Sequence, residues 1–202
     1  MKFRVNGPKP RIAALALAAG AIVTIAACGD FTGVPASLST LTDSGTVFAI
    51  NGAPLGAPTA LHAFSGALIP ADADFIFDVA FDIGPNPGEV IVLPQRAVAT
   101  ALATTHTVSL AALAVADTFE AVTAVPKGLT FRADTAMTVK RNQVVIVQIA
   151  DPTACSFSIT GTTLYAKVAI TSINRTTKQM AIKFAIDPNC GFRSFLPGVP
   201  KE

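Results

Sequence analysis

The chain has 202 residues and is 51% hydrophobic, a length that suits one main domain with a sizeable core. Its formal charge of +2 is misleading, because four of its fifteen basic residues (Lys2, Arg4, Lys9 and Arg11) precede Cys28. From Cys28 onward eleven Lys and Arg face thirteen Asp and Glu, a net charge of −2 that offers no electrostatic footprint for nucleic acid.

In chain order, the first predicted element is an export signal. A basic start leads into an uncharged run from Ile12 to Ala27, which closes on Ile25-Ala26-Ala27-Cys28. Basic, apolar, small, then a boundary is the pattern of a secretory signal peptide. Read instead as a transmembrane anchor, Ile12 to Ala27 would span roughly 24 Å, short of the ~30 Å hydrocarbon core. Ending on cysteine, the segment resembles the lipobox of bacterial lipoproteins. That resemblance implies diacylglyceryl transfer to the Cys28 sulfur, cleavage before it and acylation of the new amino terminus. It implies the bacterial cell envelope as location. Gly29, rather than an inner-membrane retention aspartate, favours the outer membrane in a host that has two.

Residues 29–45 are rich in Ser, Thr, Gly and Pro without apolar period, and read as a flexible tether between the lipidated cysteine and a domain over 46–202. The stretch 52–70 reads as irregular loop. Phe75, Phe77, Val79, Phe81 and Ile83 then alternate with Asp74, Ile76, Asp78, Ala80 and Asp82, the period of a half-buried strand. With Asp72, the acidic face is either a calcium site, which needs several converging oxygens, or a solvated face that discourages edge pairing. GPNPG at 84–88 makes a turn into a strand over 89–93. The uncharged stretch 97–116 is long enough for a span, but Thr104-Thr105-His106-Thr107 and Ser109 make it polar at its centre; 107–115 reads as strand.

Asp117 as a cap, Glu120 three residues on, and Pro126 with Gly128 as a stop predict a short helix over 118–124. Strands follow at 143–149 and at 164–173 with 178–186, a hairpin across Asn174-Arg175-Thr176-Thr177. Its inward face is expected to hold Leu164, Val168, Ile170, Met180, Ile182 and Phe184. With Cys28 lipidated, Cys155 and Cys190 form an even pair in an oxidising compartment, which favours a disulfide. A reactive thiol, a metal ligand or two reduced thiols are the alternatives. The tail Asn189–Pro197 reads either as a plug for the core or, through Phe192, Arg193 and Phe195, as a partner-binding patch.

Catalytic chemistry has little to build on. The two histidines, His62 and His106, have no His, Cys or carboxylate at local ligand spacing and read as surface or hydrogen-bonded residues. G-x-S-x-G, GxGxxG and the P-loop motif do not occur. Taken in order, Phe77-Asp78-Val79-Ala80-Phe81, Phe119-Glu120-Ala121-Val122 with Val125-Pro126-Lys127-Gly128, Val144-Val145-Ile146-Val147-Gln148 and Tyr165-Ala166-Lys167-Val168 resemble HmuY-type haem-binding envelope lipoproteins. The resemblance implies an all-β fold and haem held between two histidines, although no pair here maps onto that family's ligands. The expected molecule is therefore an all-β, single antiparallel, sandwich-like domain with one short helix behind a signal peptide and tether. It is expected to be a non-enzymatic ligand- or partner-binding module, without metal or cofactor. Haem or small hydrophobic ligand binding and a purely structural envelope role are the alternatives. Its partners would be the membrane, through the lipid anchor, and a protein or small molecule.

Overall fold

The computed structural model describes residues 36–72, 76–98 and 106–200, all within the second of the chain's two units, Pro35–Glu202. The signal segment 1–27, Cys28, the tether up to residue 35, and Asp74 with Phe75 lie outside the described residues.

Eleven strands and one helical turn occur among the described residues: β1 (Leu41–Phe48), β2 (Ala60–His62), β3 (Ala67–Ile69), β4 (Val79–Ile83), β5 (Glu89–Pro94), α1 (Gln95–Val98), β6 (Thr107–Ala112), β7 (Arg132–Ala133), β8 (Met137–Lys140), β9 (Val144–Ala150), β10 (Thr163–Asn174) and β11 (Gln179–Asp187). They form two sheets, β1-β11-β10-β9-β6-β7 and β3-β2-β4-β5-β8, with every pair antiparallel. The all-β, sandwich-like expectation is met. The sheets bury one shared interior, to which β4 contributes Val79 and Phe81, β5 Val90 and Val92, and β9 Val145 and Val147. The β10–β11 hairpin contributes the six residues expected of it, with Val168 opposite Phe184 and Ile170 opposite Ile182. A bulge between Ile170 and Ser172 shifts the register so that Met180 meets Ile173.

β9 reads as a continuous apolar run because both of its faces are covered. Its odd-numbered residues enter the interior, while Val144 and Ile146 point outward into a second cluster with Phe119, Val122, Tyr165 and Phe195. That cover is the loop after β6 together with the C-terminal tail, joined by a bridge between Ala124 and Ser194.

Three expectations are corrected. Residues 118–124 form turns rather than a helix, and the helical turn lies at Gln95–Val98. The reason is a partner distant in sequence: the carbonyls of Phe119 and Val122 accept hydrogen bonds from Lys167 Nζ (2.5 and 2.7 Å), so they face the sheet instead of continuing a helical ladder. The stretch 52–70 is not all loop, since β2 and β3 form a three-residue hairpin there, closed by Gly66 at φ 71°. β1 begins at Leu41, inside the stretch read as tether, because its backbone completes the edge of the larger sheet against β11.

Candidate functional site

One end of the sandwich gathers the chain's unusual polar and apolar groups. There β1 and β10 start and β9 and β11 finish, since Leu41 pairs with Ile186, Tyr165 with Asp187, and Thr163 with Ala150. β6 also starts there, with Thr107 opposite Ala150. The opposite end holds the turns at 84–88, 141–143 and 175–178.

Asp78 forms the polar centre. It lies one residue ahead of β4, where Leu61 and Pro94 pair on either side of Val79. Extending both ladders by one residue sets His62 and Gln95 alongside Asp78, and its carbonyl accepts the Gln95 amide (2.9 Å). His106, just ahead of β6, approaches from the other sheet, with Nε2 3.4 Å from Asp78 Oδ1. Asp78 is 4% exposed and His106 5%, so neither belongs to a solvated face. The expected acidic strand face is thereby overturned at Asp78: Ile76 takes the exposed position, and the carboxylate turns in to accept the Ala63 amide at 2.6 Å. Burial pushes the Asp78 carboxyl up, against the opposing pulls of the Ala63 amide, His106 and His62; Asp151, beside His106, adds to the push.

The His106–Asp78 approach is an ion-pair distance without hydrogen-bond geometry, and His106 Nε2 has no hydrogen-bond partner among the described residues. Both amide atoms of Gln95, 1% exposed, are likewise unpartnered there. His62 Nδ1 lies 2.8 Å from Ser65 Oγ in the β2–β3 turn. Among the described residues no three His, Cys, Asp or Glu side chains are grouped as metal ligands. Asp82 keeps to its own surroundings, bonded by the Asn51 side chain and the Ile83 amide.

Beside this polar row stands a stapled loop. Cys155 and Cys190 are joined in a disulfide, Cα to Cα 5.8 Å, tying the 151–162 loop to the C-terminal tail. Asp151 Oδ1 accepts the amides of Thr153 and Ala154 (both 2.9 Å), which turns the chain outward. The Gly191 amide donates to Thr163 O at 2.8 Å, and Gly191 has φ 85°; a Cβ there would lie 2.5 Å from Thr160 O. At the loop's tip Phe157 is 100% exposed and Ile159 82%. Sequence reasoning passed over both, because single apolar residues among serines and threonines carry no period.

Phe192 and Phe195, read in sequence as part of a partner patch with Arg193, are buried. Phe195 packs into the outer cluster with Phe119 and Val122, so the tail acts as a plug. Arg193 is exposed, its guanidinium 5.3 Å from the Tyr165 ring. On the outer face of the larger sheet a depression of about 260 Å³ is lined by Val115, Asp117, Phe119, Glu120, Ala169 and Lys183. Lys183 Nζ meets Glu120 Oε1 at 2.5 Å there, and this bond holds the Glu120 carboxyl below its usual range. Burial depresses the neighbouring Lys167 ammonium, whose charge faces the Phe119 ring at 4.1 Å.

Comparison with known proteins finds no matching family model, no matching curated protein and no matching solved structure.

Proposed function

We propose that the chain is a lipid-anchored, non-enzymatic binding module of the bacterial cell envelope, exported by residues 1–27, held through Cys28 and working through contact with a partner. The observation that carries this reading is the display of Phe157 and Ile159 on a loop pinned by the disulfide. Large apolar side chains held outward at low conformational freedom are what binding surfaces use as anchors. A small-ligand role such as haem binding has less support. The depression at Lys183, about 260 Å³, lies below the ~300–1,000 Å³ of ligand pockets. His62 is engaged by Ser65 and His106 lies against Asp78.

The test places a photo-crosslinking residue at position 157 in the native host, alongside metabolic labelling with a palmitate analogue. The wild type is expected to carry the label and Cys28→Ser to lose it together with membrane retention. Irradiation is expected to give an adduct at 157. An unlabelled wild type that fractionates as soluble would overturn the anchor; absence of any adduct, to lipid or to protein, would overturn the binding role.

A further inference from the structure

Five of the ten exposed large hydrophobic residues among those described, Leu38, Phe157, Ile159, Leu196 and Val199, belong to three segments that are knitted together at one end of the sandwich. The chain's entry is held there by Asn189, whose Oδ1 accepts the amides of Ser37 and Leu38 (both 3.0 Å) while its Nδ2 donates to Leu38 O (2.8 Å). Asn189 is itself fixed by Asp187 Oδ1, which accepts from both its backbone and side-chain nitrogens. The next residue, Cys190, carries the disulfide to the Phe157 loop, and its carbonyl accepts from Ser158 and Thr160. The tail returns to the entry through Thr40 N to Gly198 O at 2.9 Å. Across 36–40, 151–162 and 188–200 the charged side chains are Asp151, whose Oδ1 is engaged by the Thr153 and Ala154 amides at the base of the loop, and Arg193, a cation.

We propose that this apolar rim docks the domain onto the bilayer surface that holds its anchor. The inference rests on the lipidation of Cys28 and names the partner of the loop described above. The length of the tether decides the orientation. Eight residues separate Cys28 from Ser37, nine Cα–Cα steps that reach roughly 30 Å at full extension. β10 alone, twelve residues long, runs about 40 Å from the stapled end to the far hairpin. The far end carries Lys140, Arg141, Arg175 and Lys178, which an anionic surface would attract. A tether entering at Ser37 is too short to bring that end down while the stapled end points away. The rim is held at the membrane, where tethering raises its local concentration and apolar side chains enter the acyl boundary.

The chain has no tryptophan, so single substitutions report without background. Phe157→Trp and Thr176→Trp, both at exposed positions, are made in the full-length protein, lipidated in the host and reconstituted into protein-free phosphatidylethanolamine–phosphatidylglycerol vesicles with or without brominated acyl chains. The expected result is blue-shifted emission for Phe157→Trp, lost on bromination, with Thr176→Trp unaffected by either change. Water-like, unquenched emission from position 157 in protein that floats with the vesicles would overturn the inference but leave the anchor standing. Quenching at 176 instead would assign docking to the basic end and overturn it too. A shift at 157 confined to native envelopes would overturn it in favour of a protein partner. Protein that fails to float would remove anchor and inference together.

Discussion

Asp78 and His106 stand 28 positions apart in sequence, and strand pairing from two different sheets brings them within 3.4 Å. No spacing rule reaches across that distance, which is why each looked solitary in the sequence. The alternation over 75–83 was legible for Val79 and Phe81, which face the shared interior, whereas Phe77 is buried in a separate cluster with Ala60 and Ala80. The alternation misled at Asp78 because β4 starts one residue later, and the bend before it turns the carboxylate inward. The consequence is measurable as a pH dependence. With its native pKa raised above the ordinary 3.8, Asp78 holds its proton longer when folded than when unfolded. Its contribution is fully present below about 3.8 and is lost as pH rises through the native value. Asp78→Asn keeps an acceptor for the Ala63 amide and removes that titration. Thermal melts over a pH series should show the wild type losing stability relative to Asp78→Asn as pH climbs from about 4 towards neutrality. Parallel profiles would contradict this.

At the scale of elements, runs whose composition alone specifies a strand were legible, and segments shaped by distant partners were not. β9 and the β10–β11 hairpin fall within a residue or two of their predicted limits, since β-branched runs and an Asn-initiated turn decide them locally. The loop after β6 has helix signals at Asp117 and Glu120, but Lys167, 45 or more positions away, takes the Phe119 and Val122 carbonyls. Lys167 is thus a hook between β10 and the outer cover. Lys167→Met keeps the volume and removes the hook, so unfolding free energy should fall by about 1–3 kcal/mol. Proteolysis between 113 and 125 should accelerate more than elsewhere in the chain. Unchanged cleavage within that loop would show that packing of Phe119 and Phe195 alone secures it.

At the scale of the molecule, the disulfide joins two segments outside the ladders, and the strands do not depend on it for their register. Its closure spans 35 positions, for which loop entropy gives up to ~4 kcal/mol. The double variant Cys155→Ala, Cys190→Ala should therefore keep the far-ultraviolet signature of the sheets while its denaturation midpoint drops. Loss of about 2–4 kcal/mol is expected from chemical denaturation, and reductant should have no further effect on the variant. Equal stability of the oxidised wild type and the variant would remove the staple from the account of this fold.

The bridge between Thr40 and Gly198 has a practical consequence for anyone handling the protein. Because entry and tail share one end, an affinity tag or fluorescent protein fused after residue 202 would emerge near the entry at Thr40 and, on the proposed docking, would stand between domain and bilayer. The hairpin at 175–178, exposed and remote, is the better insertion point for a reporter. Joining the tail to the entry by a short linker and reopening the chain at that hairpin would give a permuted domain whose two ends both point outward.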